Sequence, residues 1–318
     1  MKTATKVWLI IAAALVLTGT ATFSGVMTML NWDFSKLSTS KFQTNAYAVT
    51  EAFQNIAIQT DTADITFIVS EKSEVVCKEP ENAAHTVAVD DGTLTIRLAN
   101  KKKWYEHIGI NFETPKITVY LPRGEYDDLS VSASTGDITI PADYNFANIF
   151  LSDSTGHVTC FASAKETITV KATTGDIRME NITTGQLDLS VTTGRISLSG
   201  VKCQNDASVS VTTGDTKIDD LTCKNLITNG NTGDVDLASV IAFERFSISR
   251  STGDVRFNGC DAAEISVVTD TGDVKGSLLS DKVFIATTDT GSVHVPKTVT
   301  GGRCEITTDT GNIKITTN

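Results

Sequence analysis

The chain has 318 residues, enough for one large core or two domains, and a net charge of −11 from 27 Lys and Arg against 38 Asp and Glu. That balance excludes nucleic acid as a partner, because a phosphate backbone would be repelled. Aromatics make up only 7%, prolines number five, and Thr, Ser, Val, Ile, Gly and Asp dominate, a composition that favours strands.

Residues 1–6 carry Lys2 and Lys6 and read as a short cytoplasmic N-terminus. Residues 7–30 contain no charge, and about 20 apolar residues suffice to cross a bilayer. Their first half is strongly apolar, their second half is rich in Thr, Ser and Gly, and apolar character resumes from Val26. The segment lacks a clean Ala-x-Ala cleavage site and a lipoprotein cysteine, so an uncleaved transmembrane anchor is expected, with a cleaved signal peptide as the alternative. Residues beyond about 31 are then expected outside the cytoplasm, with 31–44 as a linker.

Residues 45–128 read as an N-terminal β cap. Gln59-Thr60-Asp61-Thr62-Ala63-Asp64-Ile65 resembles a degenerate Thr-Gly-Asp turn, so a first imperfect coil is expected there. Asp91-Gly92 between two alternating segments, 87–90 and 93–98, predicts a hairpin, and residues 116–121 predict a strand ending at Pro122. Residues 100–112 form a loop insertion. Its Trp104 and Tyr105 either contact a partner or carbohydrate, or pack over the first coil; its Lys101, Lys102 and Lys103 read as solvated.

From residue 129 to 318 the chain repeats itself. Gly136, Gly156, Gly175, Gly194, Gly214, Gly233, Gly253, Gly272, Gly291 and Gly311 follow one another at 19 or 20 residues, each preceded by Thr. A period this short means stacked coils of one solenoid rather than separate domains. Aligned on the glycines, positions two and four after and five and seven before are mostly apolar, the period-two signature of half-buried strands. A third inward residue in the return segment (Ile182, Val201, Leu221, Val240, Cys260, Leu279) predicts a roughly triangular cross-section. Glycine supplies the positive φ a tight turn needs. The expected fold is all-β: a single-chain parallel β-helix or solenoid of about ten coils with an N-terminal β cap, preceded by one transmembrane helix. Ten rungs at about 4.8 Å give a rod of roughly 45 Å. The coil holding Cys304, Ile306, Ile313 and Ile315 is expected to end the stack as an open edge, which either docks a partner or a second copy by strand addition or stays as a tolerated, slightly frayed edge.

The residue after each glycine is acidic in most coils, giving a column in which Asp215, Asp234, Asp254 and Asp273 are the candidate calcium ligands. A second reading is structural. Arg178, Lys217, Arg256 and Lys275 stand two residues further on to neutralise the acids, and Asp beside a turn glycine accepts backbone N–H bonds. No cofactor and no catalytic residue is predicted. His85, His107, His157 and His294 fall in different phases, no nucleophile-elbow, zinc-protease or Walker motif occurs, and the short return segments build no cleft walls. The six cysteines fit no zinc spacing; Cys203 and Cys223 sit one period apart, either as a disulfide or as two stacked thiols.

The repeats, together with residues 56–67, 91–96 and Pro115-Lys116-Ile117-Thr118-Val119-Tyr120-Leu121-Pro122, resemble the bacterial toastrack family, whose members are also named putative adhesins. The resemblance covers about residue 45 to the C-terminus. With a span ahead of the repeats, it is similar to membrane-anchored members of Gram-positive bacteria. It implies an envelope protein linked to envelope stress, without established catalytic residues. The expectation is a membrane-anchored, extracytoplasmic binding or scaffolding protein whose partner is an envelope protein or polysaccharide. The alternative is a β-helix that binds or cleaves envelope polysaccharide.

Overall fold

The computed structural model describes residues 3–37, 41–99 and 113–317. Trp104, Tyr105 and the basic residues 101–103 lie outside the described residues. A helix spans Thr3–Met29, and a short 3-10 turn, Phe34–Leu37, follows it. Among the described residues, the elements from Phe42 onward are strands, apart from one further 3-10 turn at Glu81–Ala83, and the 25 strands join one continuous sheet. The chain is thus the expected β-solenoid of about ten coils behind one apolar helix.

Each coil turns most of its apolar residues inward, although Leu279, expected in the third inward column, is 47% exposed while Leu278 is buried. In the Gly233 coil Val235, Leu237, Val240 and Ala242 are at most 2% exposed, as are Phe246 and Ile248 that follow them. The next coil stacks on it in parallel register, placing Val235 on Val255, Leu237 on Phe257 and Ile248 on Val267. Like residues therefore form columns, and each buried Val, Ile or Leu contributes about 1.5–3 kcal/mol only because a rung lies on both sides. The corner after the glycine turn also has a backbone signature. Asn181, Gly200, Asp220, Ser239 and Gly259, each six residues past a turn glycine, all have φ between 52° and 64°. Asn, Asp and Gly tolerate that left-handed conformation best.

At the glycine turn the backbones touch. Gly233 has φ 127°, and a Cβ built there would overlap the carbonyl of Gly214 in the rung below. Gly214 meets Gly194 in the same way, and the contact recurs along the spine. The turn amides of Gly136 to Gly272 and of Gly311 each donate to the Thr carbonyl of the neighbouring turn, as Gly233 N–H does to Thr252 at 2.9 Å.

Stacking order departs from chain order at both ends. At the start, strands Thr93–Leu98 and Lys116–Leu121 lie outside the earlier pair Asn55–Thr62 and Asp64–Val69, whose other face carries the Gly136 coil. Antiparallel strands then close the ladder. His85–Asp90 pairs with Thr93–Leu98 through the expected Asp91-Gly92 hairpin, Glu74–Pro80 pairs with Lys116–Leu121, and Phe42–Ala48 pairs with Glu74–Pro80.

At the far end, strand Gly302–Thr310 inserts between Val255–Thr271 and Lys282–Thr290. Gly272 N–H accordingly donates to Thr310, 2.9 Å away, and Gly311 N–H to Thr290 at 3.0 Å. The expectation of an open C-terminal coil is therefore corrected: strand Gly302–Thr310 has a rung on both sides, Cys304, Ile306 and Ile313 are 0% exposed and Ile315 2%, and the coil expected to self-associate is not the outermost one. The terminal rung is instead the Gly291 coil, where Val293 is 40% exposed and Phe284 and Ala286 are half-buried. Two glycines let the chain in. A Cβ at Gly301 would overlap the Asp281 carbonyl, and one at Gly302 the Ala263 carbonyl. The terminal rung is pinned by Lys282, a buried ammonium that pairs with Asp261 at 2.6 Å and donates to Ser280 at 2.8 Å.

Three substitutions in one coil separate these contributions. Val235→Asp buries an unpaired charge and is expected to cost about 4 kcal/mol or more. Gly233→Ala drives a methyl group into the adjacent backbone and is expected to unfold the repeats or cost several kcal/mol. Thr232→Ala, on the exposed turn, should cost about 1 kcal/mol or less. Denaturant titration monitored by circular dichroism reads all three, and equal losses would contradict the inward and outward assignments.

Candidate functional site

The acidic column forms a hydrogen-bonded ladder. Asp137 Oδ1 accepts the His157 N–H at 2.8 Å, Asp176 Oδ1 that of Arg195 at 2.8 Å, and Asp234 Oδ1 that of Asp254 at 2.9 Å. Asp215 accepts from Asp234 at 3.2 Å and Asp254 from Asp273 at 3.0 Å. Asp273 accepts the Asn312 amide at 2.8 Å, 39 residues away, so the ladder follows stacking order rather than chain order. The turn glycine redirects the backbone, and the side chain one residue later supplies the acceptor for the next rung's amide. His157 fills the same place with Nδ1, 3.1 Å from the Asp176 N–H.

The second oxygens of these carboxylates meet cations. Arg195, which interrupts the acidic column, pairs with Asp215 at 3.2 Å, and from the basic column Arg256 pairs with Asp234, Asp236 and Asp254 at 2.7, 3.0 and 2.8 Å. Lys275 reaches Asp254 at 3.3 Å and Asp273 at 4.0 Å. Burial opposes the Asp254 charge, but the Asp273 amide, Lys275 and Arg256 together outweigh it and hold its pKa below the usual carboxylate range. Each of the four calcium candidates thus already has both an amide and a cation. Surface pairs of this kind contribute little individually, and the network's main effect is to hold one register.

A wide groove of about 610 Å³ crosses the outer face between Asn225, Arg245, Ser247 and Glu264. An adjoining depression extends it to Arg303 and Glu305. Its charges are paired across and along the rungs: Arg245–Glu264 at 2.9 Å, Lys224–Glu244 at 3.6 Å and Arg303–Glu305 at 2.8 Å.

The column three residues before each turn glycine points inward and holds two buried charges that periodicity alone does not reveal. Arg250, 2% exposed, runs along the spine to donate to the Val211 carbonyl at 2.8 Å and the Thr216 hydroxyl at 2.6 Å. Gly230 makes this path possible, because a Cβ there would overlap the guanidinium. Burial lowers the Arg250 pKa, partly offset by Asp215 and Asp234.

The same column holds Asp153, 3% exposed, with neither carboxylate oxygen in a full hydrogen bond.

The cap brings together side chains that sequence phase keeps apart. His85 Nδ1 lies 2.6 Å from Glu79 Oε2, and His85 Nε2 lies 2.9 Å from the Thr60 hydroxyl. Glu79 Oε2 also accepts the His85 N–H at 2.9 Å, and Oε1 accepts from Asn45 at 2.7 Å. Tyr47 donates its hydroxyl to the His85 carbonyl at 3.0 Å. Glu79 and His85 are 1% and 3% exposed. A hydroxyl, an imidazole and a carboxylate in line are the parts of a nucleophilic relay, but Thr60 is itself only 3% exposed. The arrangement fastens the antiparallel cap strands to the first rung. The only sequence signal was the even spacing of Cys77 and Glu79 on a strand whose alternate positions face inward.

All six cysteines are buried free thiols, so Cys203 and Cys223 are stacked thiols rather than a disulfide. Burial pushes the thiols of Cys160 and Cys223 up to about 12, and burial with the Glu79 charge does the same for Cys77. Thiols held this far above neutral pH are poor nucleophiles.

The Asp153 carboxyl is pushed up to about 6, first by burial, with the nearby Thr155 and Ser154 amides opposing and Asp137 adding. Its unfolded value is about 3.9. Below that, both states are protonated and the group is neutral in its effect. Between about pH 4 and pH 6 the unfolded chain ionises while the fold does not, so stability falls as pH rises, by a total of about 2–3 kcal/mol above pH 6. Asp153→Asn is therefore expected to remove this slope: equal stability to wild type near pH 4 and about 2 kcal/mol more near pH 7.5 in chemical denaturation. Parallel pH profiles for the two proteins would contradict the assignment.

Comparison with known proteins places this architecture. The family model described as Toastrack DUF4097 matches residues 53–218 and 204–318. Among solved structures, a putative adhesin from Bacteroides fragilis is 18% identical, covers 87% of this chain and 97% of its own, and has a TM-score of 0.42. A putative adhesin from Parabacteroides distasonis is 13% identical over 76% of this chain and 97% of its own, with a TM-score of 0.44. A putative lipid binding protein from the same organism is 17% identical over 75% and 95%, with a TM-score of 0.45. At these identities and scores the structures carry no functional argument. No curated protein matches the chain. The family match spans both the cap and the repeats, and the chain belongs to the Toastrack DUF4097 family.

Proposed function

We propose that the protein is a membrane-anchored, extracytoplasmic scaffold of the bacterial cell envelope that binds an envelope protein or polysaccharide along its side. The observation that carries this reading is the joining of an apolar helix, with residues Thr5–Met29 long enough to span a bilayer, to a solenoid whose outward charges are tied into ladders. A rod of stacked rungs is stiff, and stiffness suits a surface that must present side chains at fixed spacing to a partner. The groove beside Arg245 and Glu264 gives that partner a shaped surface with charged side chains in its lining. Family membership supports a non-enzymatic role, and the resemblance adds envelope stress as the setting. Glu244 and Glu264, the carboxylates lining the groove, are each held by a cation, which favours binding over glycoside cleavage.

Protease added to intact cells with an accessible surface tests the topology. The expected outcome is loss of the repeats, leaving a membrane-embedded N-terminal fragment. Repeats that survive in intact cells but are cut after lysis would overturn the proposal, and a soluble form starting beyond residue 30 would replace the anchor with a signal peptide.

A further inference from the structure

The cap holds three chemically different metal ligands in one buried place. One donor atom each from Cys77, Glu79 and His85 lies within 4.8 Å of the others, and all three residues are at most 3% exposed. Cys77 and Glu79 project from the same face of strand Glu74–Pro80, and His85 opens the strand that follows. The ligand atoms are oriented by partners on their far sides. Thr60 holds His85 Nε2, leaving Nδ1 towards Glu79, and Asn45 holds Glu79 Oε1, leaving Oε2 towards His85. Metal sites are commonly built this way, with the non-ligating atom of each ligand fixed by an outer hydrogen bond.

We propose that Cys77, Glu79 and His85 form a three-ligand zinc site that locks the N-terminal cap onto the first rung. A thiolate, an imidazole and a carboxylate suit zinc better than calcium or magnesium, which prefer oxygen ligands throughout. Charge favours the same ion. One thiolate and one carboxylate neutralise a divalent cation, so the loaded site is neutral in a region where an unbalanced charge would be costly. Binding forms three bonds to the metal, from Sγ, Oε2 and Nδ1, and a water completes the tetrahedron. The Cys77 proton leaves to solvent. The imidazole proton moves from Nδ1 to Nε2, where the Thr60 oxygen accepts it. The Glu79–His85 hydrogen bond is replaced by two bonds to a shared ion, which needs those atoms to separate from 2.6 Å to roughly 3.3 Å, the edge of a tetrahedron with bonds near 2.0 Å. The site would make cap closure depend on the metal, since binding and folding share one free energy.

The test uses the full chain purified in detergent without chelators. Elemental analysis of the wild-type protein is expected to find about one zinc per chain. Exchange for Co²⁺ should give the visible bands of a tetrahedral site and a near-ultraviolet thiolate-to-cobalt band. Cys77→Ser should abolish the thiolate band, Glu79→Gln should lower zinc content at least tenfold, and Cys223→Ser should leave both unchanged. Chelation should lower the melting temperature of wild type but not of Cys77→Ser. Wild-type protein that contains no zinc, takes up no Co²⁺ at stoichiometry and melts identically with and without added Zn²⁺ would overturn the proposal. So would a thiolate band that persists in Cys77→Ser. The wild-type measurements decide the matter even if a variant does not fold.

Discussion

The contact between successive turn backbones is the constraint on which the rest of the molecule depends. Gly233 sits on the Gly214 carbonyl so closely that no side chain fits between them, and the same contact recurs from Gly156 to Gly311. It sets the rung spacing and the register, and so decides which side chains share a column. The apolar columns, the Asp-to-amide ladder and the alternation of Arg256 and Lys275 with their acids all follow from that register. A slip of one residue would turn the whole inward set outward. The ladder of carboxylates then acts as a check on register, because Asp234 can accept the Asp254 amide only when the turns are aligned.

The sequence made most of the solenoid legible because one rung's requirements are repeated ten times. Most inward positions, the hairpin at Asp91-Gly92 and the turn glycines followed from period and composition, but Leu279, expected inward, is 47% exposed and Leu278 takes its place opposite Cys260. Less was legible where the rule is not periodic. Chain order at the far end was hidden because every coil offers the same turn, so Thr310 satisfies Gly272 as well as Thr290 would. The adjacent Gly301 and Gly302, which interrupt the pattern once, were the available signal. The second corner was also readable, from the Asn, Gly and Asp residues six positions after Gly175, Gly194 and Gly214. Arg250 was masked by its setting in a column of small and apolar residues, and its explanation, Gly230, lies one rung away. The cap cluster was out of reach of pattern reading because Thr60, Glu79 and His85 meet only through antiparallel strands that belong to no repeat.

The two ends of the stack solve one problem differently. A ladder edge is a template for further pairing. At the cap, antiparallel strands take up that edge and a buried polar network holds them in place. At the other end the chain returns into the stack, so its last coil is protected and an earlier one is left outermost. Insertion gives the Gly311 coil neighbours on both sides. It also ties the terminal rung into the sheet through Lys282 and Asp261 rather than leaving it to fray. On the side faces, charges are paired along and across the rungs, as in Arg245–Glu264 and Arg256–Asp234.

Crosslinking across the spine tests the stacking account most directly. Val268 and Thr307 are paired neighbours on the outer face, whereas Thr287 pairs with the far side of Thr307. Thr287 therefore lies two rungs from Val268, roughly 9–10 Å, beyond disulfide reach. In a background whose native cysteines stay buried, Val268→Cys with Thr307→Cys should oxidise readily to an intramolecular disulfide. Val268→Cys with Thr287→Cys should not. Rapid crosslinking of the second pair, with none in the first, would mean that the coils stack in chain order and would contradict the account.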